Sequence, residues 1–520
     1  MYVFGGLMQT AHKNLAANDT TLANEITDRL SQELVIAFVG PVGSGVSTAA
    51  AQIRDVLAGD FGYDVAPIFK PSDIILRQCP LVEIVPPSKD DLAVYIQTMQ
   101  DAGNAIRQRF GNEYLVEKII EKIKLYREEK GGYTANVEQP GRRAYIIDSL
   151  KNIEELALLR NIYRESLCVV GVFAPDEIRR QRLIDGGAIE NSVNQLMTRD
   201  QAELMTFGQN TRKLFVEADL FVCNDRRPEE LNTSIKRFLD IVFDTAIHTP
   251  TRAESAMYEA DAASANSACM SRQVGASIVS SRGELIAVGW NDVPKFGGGL
   301  YIEEDRSRYD EVQKAVVNKD HRCHNWAGGI CHNETRRTKI ISKVSEAAAA
   351  VGKVSGELAP AVLESVGRSE IADLIEYSRS IHAEMEAILS VAREGKHSLV
   401  GATLYTNTYP CHNCARHIVA AGIVNVIYIQ PYMKSLATKL HADVVTEIPD
   451  KVGMVVFRQF DGIAPRNFIR LFKPAAPRKM GGRISRTERA NAVPIFRVPL
   501  DARSHYEDKV IADLAQKEHV

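Results

Sequence analysis

The chain has 520 residues, 45% hydrophobic and 25% charged, with 63 Lys and Arg against 66 Asp and Glu and a formal net charge of −3. That length exceeds what one hydrophobic core serves and predicts two or three domains, in a composition typical of a soluble globular protein. The near-neutral charge gives no global reason to expect nucleic-acid binding, and no run reaches the 18 apolar residues of a membrane span, so no membrane partner is expected. Met1-Tyr2-Val3-Phe4 lacks the basic start of a signal peptide, and eight sparse cysteines suit a reducing compartment, so a cytoplasmic setting is expected.

After a polar lead over residues 1–30, Leu34-Val35-Ile36-Ala37-Phe38-Val39 reads as a short buried strand. It runs into Gly40-Pro41-Val42-Gly43-Ser44-Gly45-Val46-Ser47-Thr48 and then a helix from Ala49 to about Leu57. Strand, glycine-rich loop and helix together make a phosphate cradle, because bare backbone N–H groups and the helix N-terminus point at the anion. Gly40, Gly43, Ser44, Gly45, Ser47 and Thr48 are therefore candidate nucleotide-binding residues. Val46 stands where such loops carry the lysine that reaches the outer phosphates, which argues against efficient phosphoryl transfer.

Farther along, Ala144-Tyr145-Ile146-Ile147-Asp148 is a strand ending in an acid, which makes Asp148 a candidate magnesium holder. The charged segment Glu117 to Lys130 reads as an exposed helix. Cys168–Phe173 and Asp219–Asn224 are further strands, and strands alternating with helices predict an open parallel α/β sheet over 31–246. In plan this half resembles the P-loop nucleotide-kinase superfamily. That resemblance makes Arg179, Arg180 and Arg182 phosphate-clamping arginines, against a plain solvated helix face. A regulatory nucleotide site taking a dNTP or NTP effector, a structural relic and an active kinase all stay open.

From about Thr249 the pattern changes, and a second domain is expected over 247–464. Arg252 to Ala268 reads as a helix, and Ser271–Val279 with Glu284–Asn291 as a hairpin turning at Ser281-Arg282-Gly283. Cys269-x-x-Arg272-Gln273-Val274-Gly275-Ala276 and Gly289-x-Asn291-x-x-Pro294 resemble the opening of deoxycytidylate deaminases, which implies Asn291 as a substrate contact; a turn-forming Asn is the plain alternative. An insertion follows over about 295–378. Its His321-Arg322-Cys323-His324 and Cys331-His332 suggest a second, structural zinc held by Cys269, Cys323, Cys331 and His332, against ordinary reduced cysteines and surface histidines. Thr338 to Val366 reads as a helical hairpin.

His382-Ala383-Glu384 and then Pro410-Cys411-His412-Asn413-Cys414 form, in that order, the zinc-dependent nucleobase deaminase signature. His382, Cys411 and Cys414 are the three zinc ligands of this reading, which leaves one coordination position open for water. Glu384, not a ligand, carries protons from the attacking water to the ring nitrogen and the departing amine. Thr408-Tyr409 departs from the Glu the family often carries before that Pro. Beyond it, Ala415 to Ala421 continues a helix and Gly422–Ile429 gives the next strand.

Past residue 465 a basic tail is expected, with eight Lys or Arg against one Glu between Pro465 and Ala490. It suits RNA, a subunit-crossing arm or plain solvent equally. Taken together, a P-loop nucleotide-kinase-like parallel sheet ahead of a cytidine-deaminase-like α/β/α domain with a helical insertion resembles the bacterial anti-phage deoxycytidine nucleotide deaminases. The resemblance implies conversion of dCTP to dUTP and of dCMP to dUMP, nucleotide control, a homo-oligomer and, as for some relatives, a small inhibitory RNA. A housekeeping dCMP deaminase and a deaminase of bases within nucleic acid are the alternatives.

Overall fold

The computed structural model describes residues 26–88, 91–201, 208, 210–225, 228–326, 328–350, 364–366, 377–432, 435–449, 451–474 and 476–518. They fall into two compact units, one formed within Met1–Thr249 and Asp461–Val520, the other within Pro250–Phe460.

The first unit is built on six strands. They are β1 (Leu34–Val39), β2 (Asp64–Val65), β3 (Arg143–Ile147), β4 (Leu167–Phe173), β5 (Leu220–Cys223) and β12 (Gly462–Ile463), in the order β12-β5-β4-β1-β3-β2. All neighbours are parallel except β12, which runs antiparallel to β5. β1 and β3 are buried along their whole length, and β1 shows the continuous apolar pattern of a sheet covered on both faces. The helices used below are α1 (Val46–Gly59), α2 (Leu92–Phe110), α3 (Tyr114–Glu129), α4 (Ile153–Tyr163), α5 (Asp176–Asp185) and α6 (Pro228–Val242). The core joins Leu34, Ile36 and Phe38 of β1 to Ala49, Ala50 and Ile53 of α1 and to Ile235, Phe238 and Leu239 of α6.

Two expectations are corrected here. The segment Glu117 to Lys130 is not an exposed helix: Leu115, Val116, Ile119, Ile120, Ile123 and Arg127 of α3 are buried. Nor is the basic C-terminal segment a free tail. β12 extends the first unit's sheet, and α11 (Leu500–Glu518) packs on α3 and α4. The physical reason for both is one buried ion network. Arg127 bonds Glu33 at 3.0 Å and Glu507 of α11 at 2.6 Å, Arg503 of α11 bonds Glu33 at 2.7 Å and pairs with Glu138, and Arg143 bonds Glu33 at 2.7 Å. Burial by itself would raise the Glu33 pKa, but Arg127, Arg503 and Arg143 hold it well below the usual carboxylate range. Arg466 and Arg489, counted above as tail charges, likewise pair with Asp219 and Asp240.

The second unit is an α/β/α sandwich. Its sheet has the order β10-β11-β9-β8-β6-β7, with β6 (Gly275–Val279), β7 (Leu285–Trp290), β8 (Thr403–Thr408), β9 (Asn425–Gln430), β10 (Val445–Thr446) and β11 (Val455–Gln459). β6–β7 and β6–β8 are antiparallel, while β8–β9, β9–β11 and β10–β11 are parallel. Alternation along β6 divides the layers. Ala276 and Ile278 join a core with α9 (Ala383–Glu394) and α10 (His412–Ala420), whereas Ser277 donates to Ala256 of α7 (Arg252–Ser264).

Among its described residues, the insertion carries a two-stranded ribbon, Arg308–Asp310 with Ala315–Val317, and the helix α8 (His332–Ala350). The remainder of the expected helical hairpin lies outside the described residues apart from 364–366. Among the described residues, no helix is long and apolar enough to cross a membrane.

Candidate active site

Two helix N-termini meet in the second unit. His382 is the N-cap residue of α9, in extended conformation, and Cys411 caps α10, its sulfur accepting the Cys414 N–H at 3.5 Å. The strand β8 delivers Cys411 through Tyr409-Pro410, and that corner is held from outside, Ser435 Oγ donating to the Pro410 carbonyl at 2.8 Å. α9 reaches its partner because Gly289 of β7 lets it settle on the sheet. A Cβ there would stand 2.5 Å from the Ala383 carbonyl oxygen and from the Ala387 nitrogen.

The three donors converge. His382 Nδ1 lies 3.4 Å from Cys411 Sγ and 3.3 Å from Cys414 Sγ, and all three ligand atoms fall within 4.8 Å of one another. A zinc ion bound at about 2.3 Å to sulfur and about 2.0 Å to nitrogen gives tetrahedral edges of roughly 3.5 Å, so the set fits the ion. Electrostatics agree. The Cys411 thiol is brought down to about 4, first by the hydrogen bond from Cys414 and then by His382. Cys414 is pushed up by that same bond and by burial, and His382 rises to about 9 through its bond to Cys411. Protons shared in this way are what a cation displaces when it binds, and the positive ends of α9 and α10 favour the thiolates that remain.

Glu384 lies in the first turn of α9, 4% exposed, its carboxyl raised chiefly by burial. The backbone bridge between Asp292 and Ile381 brings the Asn291 corner next to His382. There the Asn291 side chain braces the opposite strand: Oδ1 accepts from the Val274 N–H at 2.7 Å and the amide donates to the Arg272 carbonyl at 2.8 Å. One amide hydrogen and one lone pair of Asn291 remain for another partner.

Three features of this region had no sequence signal. They are Ser435, the bond from Tyr409 to Glu447 at 2.8 Å, and the Arg272 guanidinium over Tyr432 at 5.6 Å. The second zinc is not supported in the same way. Among the described residues, His382, Cys411 and Cys414 form the one cluster close enough to share an ion, and Cys269, Cys323, Cys331 and His332 are not drawn into such a cluster. Burial first, then Cys269 and Cys331, push the Cys323 thiol up, so these thiols are near one another without converging.

In the first unit the glycine-rich loop sits between β1 and α1, at the centre of the sheet, where parallel α/β folds bind ligands. Gly40 and Gly43 lie in the turn, and Gly45 is the N-cap of α1 at φ 81°, with no side-chain cap. A Cβ at Gly45 would meet Asn224 Nδ2 at 2.1 Å. Ser44 Oγ is buried without a partner, Thr48 opens the helix with its N–H on the Gly45 carbonyl, and Ser47 Oγ donates to Asp148 at 2.7 Å. Asp148 also lies 3.5 Å from Lys70 Nζ. Two of the three arginines of α5 reach the loop itself. Arg179 donates to the Val42 carbonyl at 2.9 Å, and Arg182 to the Gly43 and Ser44 carbonyls at 3.3 Å, so both brace the loop.

Comparison with known proteins finds its family match within the second unit. The family described as the cytidine and deoxycytidylate deaminase zinc-binding region matches residues 250–430. A deoxycytidylate deaminase of Enterobacteria phage T2 is 30% identical over 174 residues, 33% of this chain and 76% of its own length. One from Enterobacteria phage T4 is 46% identical over 55 residues, 11% of this chain and 28% of its own. Among solved structures, an apo dCMP deaminase from the cyanophage S-TIM5 aligns at 17% identity over 41% of this chain and 100% of its own, with a TM-score of 0.22.

Proposed function

Because the chain belongs to the deoxycytidylate deaminase family, a zinc-binding family of hydrolases, we propose that it deaminates free deoxycytidine nucleotides, dCMP to dUMP and dCTP to dUTP, each consuming water and releasing ammonia. The observation that carries this reading is the convergence of His382, Cys411 and Cys414 beside the buried Glu384. Zinc held by those three residues supplies the Lewis acid that makes water nucleophilic near neutral pH.

The remaining steps belong to the chain. Glu384 takes one proton from the attacking water and passes it to the ring nitrogen, then takes the second proton from the added hydroxyl and passes it to the departing amine, and its burial raises the carboxyl toward the range in which it both accepts and donates. Asn291 offers its remaining amide hydrogen to the nucleotide, and Arg272, stacked on Tyr432, offers a cation for the phosphates.

In this proposal the first unit is a P-loop nucleotide-kinase-like domain that binds a regulatory nucleotide through Gly40, Gly43, Ser44, Gly45, Ser47, Thr48 and Asp148. Supporting it are the central position of the loop, the uncapped N-terminus of α1 and the Ser47–Asp148 pair. A deaminase that consumes dCTP would starve its own cell if unrestrained, and a nucleotide-responsive partner unit suits an enzyme released to deplete the dCTP pool against a phage.

Ammonia release from dCTP, dCMP, cytidine and single-stranded oligonucleotide, each with and without added dNTPs, tests the proposal. Turnover of dCTP that responds to a second nucleotide supports it. Turnover of dCMP alone, indifferent to effectors, points to thymidylate metabolism, and turnover of the oligonucleotide alone overturns the substrate class.

A further inference from the structure

The glycine-rich loop lacks a lysine at residue 46, yet a lysine reaches it from elsewhere in the fold. Lys151 follows β3, and its Nζ lies 3.1 Å from the Gly40 carbonyl oxygen and 2.7 Å from Asp200 Oδ1. The other Asp200 oxygen accepts the Val42 N–H of the loop at 2.7 Å, and Asp200 is 1% exposed. A carboxylate therefore sits against the loop, holding one backbone N–H and one ammonium, the same two kinds of group that bind a phosphate.

The backbone that presents Lys151 is fixed from several sides. Ser149 takes φ 80°, a left-handed conformation that non-glycine residues seldom adopt, and it turns the chain between Asp148 and Lys151. The Lys151 N–H donates to Glu155 at 3.0 Å, and its carbonyl accepts from Asn210 at 3.0 Å. Glu155 is in turn held by the buried Arg107 at 2.8 Å. Such strain and bracing around one flexible, charged side chain is the pattern of a positioned binding group. Inside the loop, Ser44 Oγ is fully buried, has no partner and would stand 2.7 Å from a Cβ at Gly40, so it is turned into the turn of the loop.

We propose that Lys151 supplies the phosphate-binding ammonium that Val46 cannot, and that Asp200 occupies it until the phosphates of a nucleotide take the carboxylate's place. The inference rests on the regulatory nucleotide site proposed above and deepens it: the ligand is a nucleoside polyphosphate, and its binding exchanges one anion for another on Lys151. A site built this way binds in competition with an internal carboxylate. Removing that carboxylate's charge should tighten binding, which a lysine serving only the fold would not produce.

The test uses the full chain and measures ATP and dTTP binding, each with magnesium, by calorimetry, with thermal unfolding as a check on folding. Lys151→Met should weaken binding roughly 10- to 100-fold, the effect of losing charge-assisted hydrogen bonds to phosphate. Asp200→Asn should strengthen it several-fold, and Val46→Lys introduced into Lys151→Met should restore most of the loss. Lys151→Met binding like the wild type would overturn the assignment. So would a loss that Val46→Lys does not repair, which would mark Lys151 as a brace. If the wild-type chain binds neither nucleotide nor inorganic tripolyphosphate, the nucleotide site itself falls, and this role with it.

Discussion

The two units each place their candidate site at a helix N-terminus that follows a strand and a short loop, and they finish that terminus in opposite ways. α10 starts at Cys411, where one sulfur both caps the helix and belongs to the cluster that could hold a metal ion. α1 starts at Gly45, in a left-handed conformation, and no side chain caps its first amides. The first arrangement is self-contained within four residues, needing only His382 from outside. The second depends on Asp148, Lys151, Arg179, Arg182, Asp200 and Asn224, which arrive from β3, α5, β5 and the segments between them. A site whose ligands are its own caps is carried by a motif, whereas a site made of bare backbone is carried by the fold around it.

The sharpest way to break that comparison is at the metal. Cys411→Ala removes a ligand and the α10 cap together, so bound zinc and deamination should vanish in parallel, read by metal analysis and ammonia release. Glu384→Gln should keep zinc while turnover falls by about 10²- to 10⁴-fold, the usual worth of a positioned acid–base group. An active, metal-free Cys411→Ala protein would show that the ligand set is wrong.

On the other side of the comparison, Arg503→Met removes one of the buried arginines on Glu33 and Glu138 and leaves both carboxylates to Arg127, with Arg143 still on Glu33. It should lower the stability of the first unit by about 1–3 kcal/mol in urea unfolding, with metal content preserved. Equal stability would mean that α11 is dispensable for that unit.

The smallest effect is on acid stability. Glu33 is held below the usual carboxylate range, so its ionised form stabilises the folded unit at neutral pH. That contribution is lost as pH falls below about 4.3 toward the lower folded value. Glu33→Gln should make unfolding less steep with pH in that window, and an unchanged slope would show that Glu33 carries no such share.

Much of the catalytic region was legible because its residues are close in sequence and chemically rare together. His382, Glu384, Cys411 and Cys414 read as one site, and α10 and the hairpin β6–β7 fall near the residues expected for them. The support around the site was not legible. Ser435 holds Pro410, Gly289 admits α9, and Asn291 braces residues 272–274, each contact joining residues that share no local pattern. The C-terminal segment misled for a related reason: a run of Lys and Arg looks the same whether its partners are water or the carboxylates of Asp219, Asp240 and Glu33.

By itself, then, the sequence determined which three residues, His382, Cys411 and Cys414, gather where they could hold a zinc ion, and the strand–loop–helix start of the first unit, since metal-ligand spacing and local turns act over a few residues and leave fixed patterns. Only the tertiary structure decided that α3 is buried, that β12 and α11 complete the first unit, and that Lys151 and Asp200 sit on the glycine-rich loop. Burying a charge is costly unless an opposite charge lies beside it, and here each such partner comes from far along the chain, where no local pattern announces it.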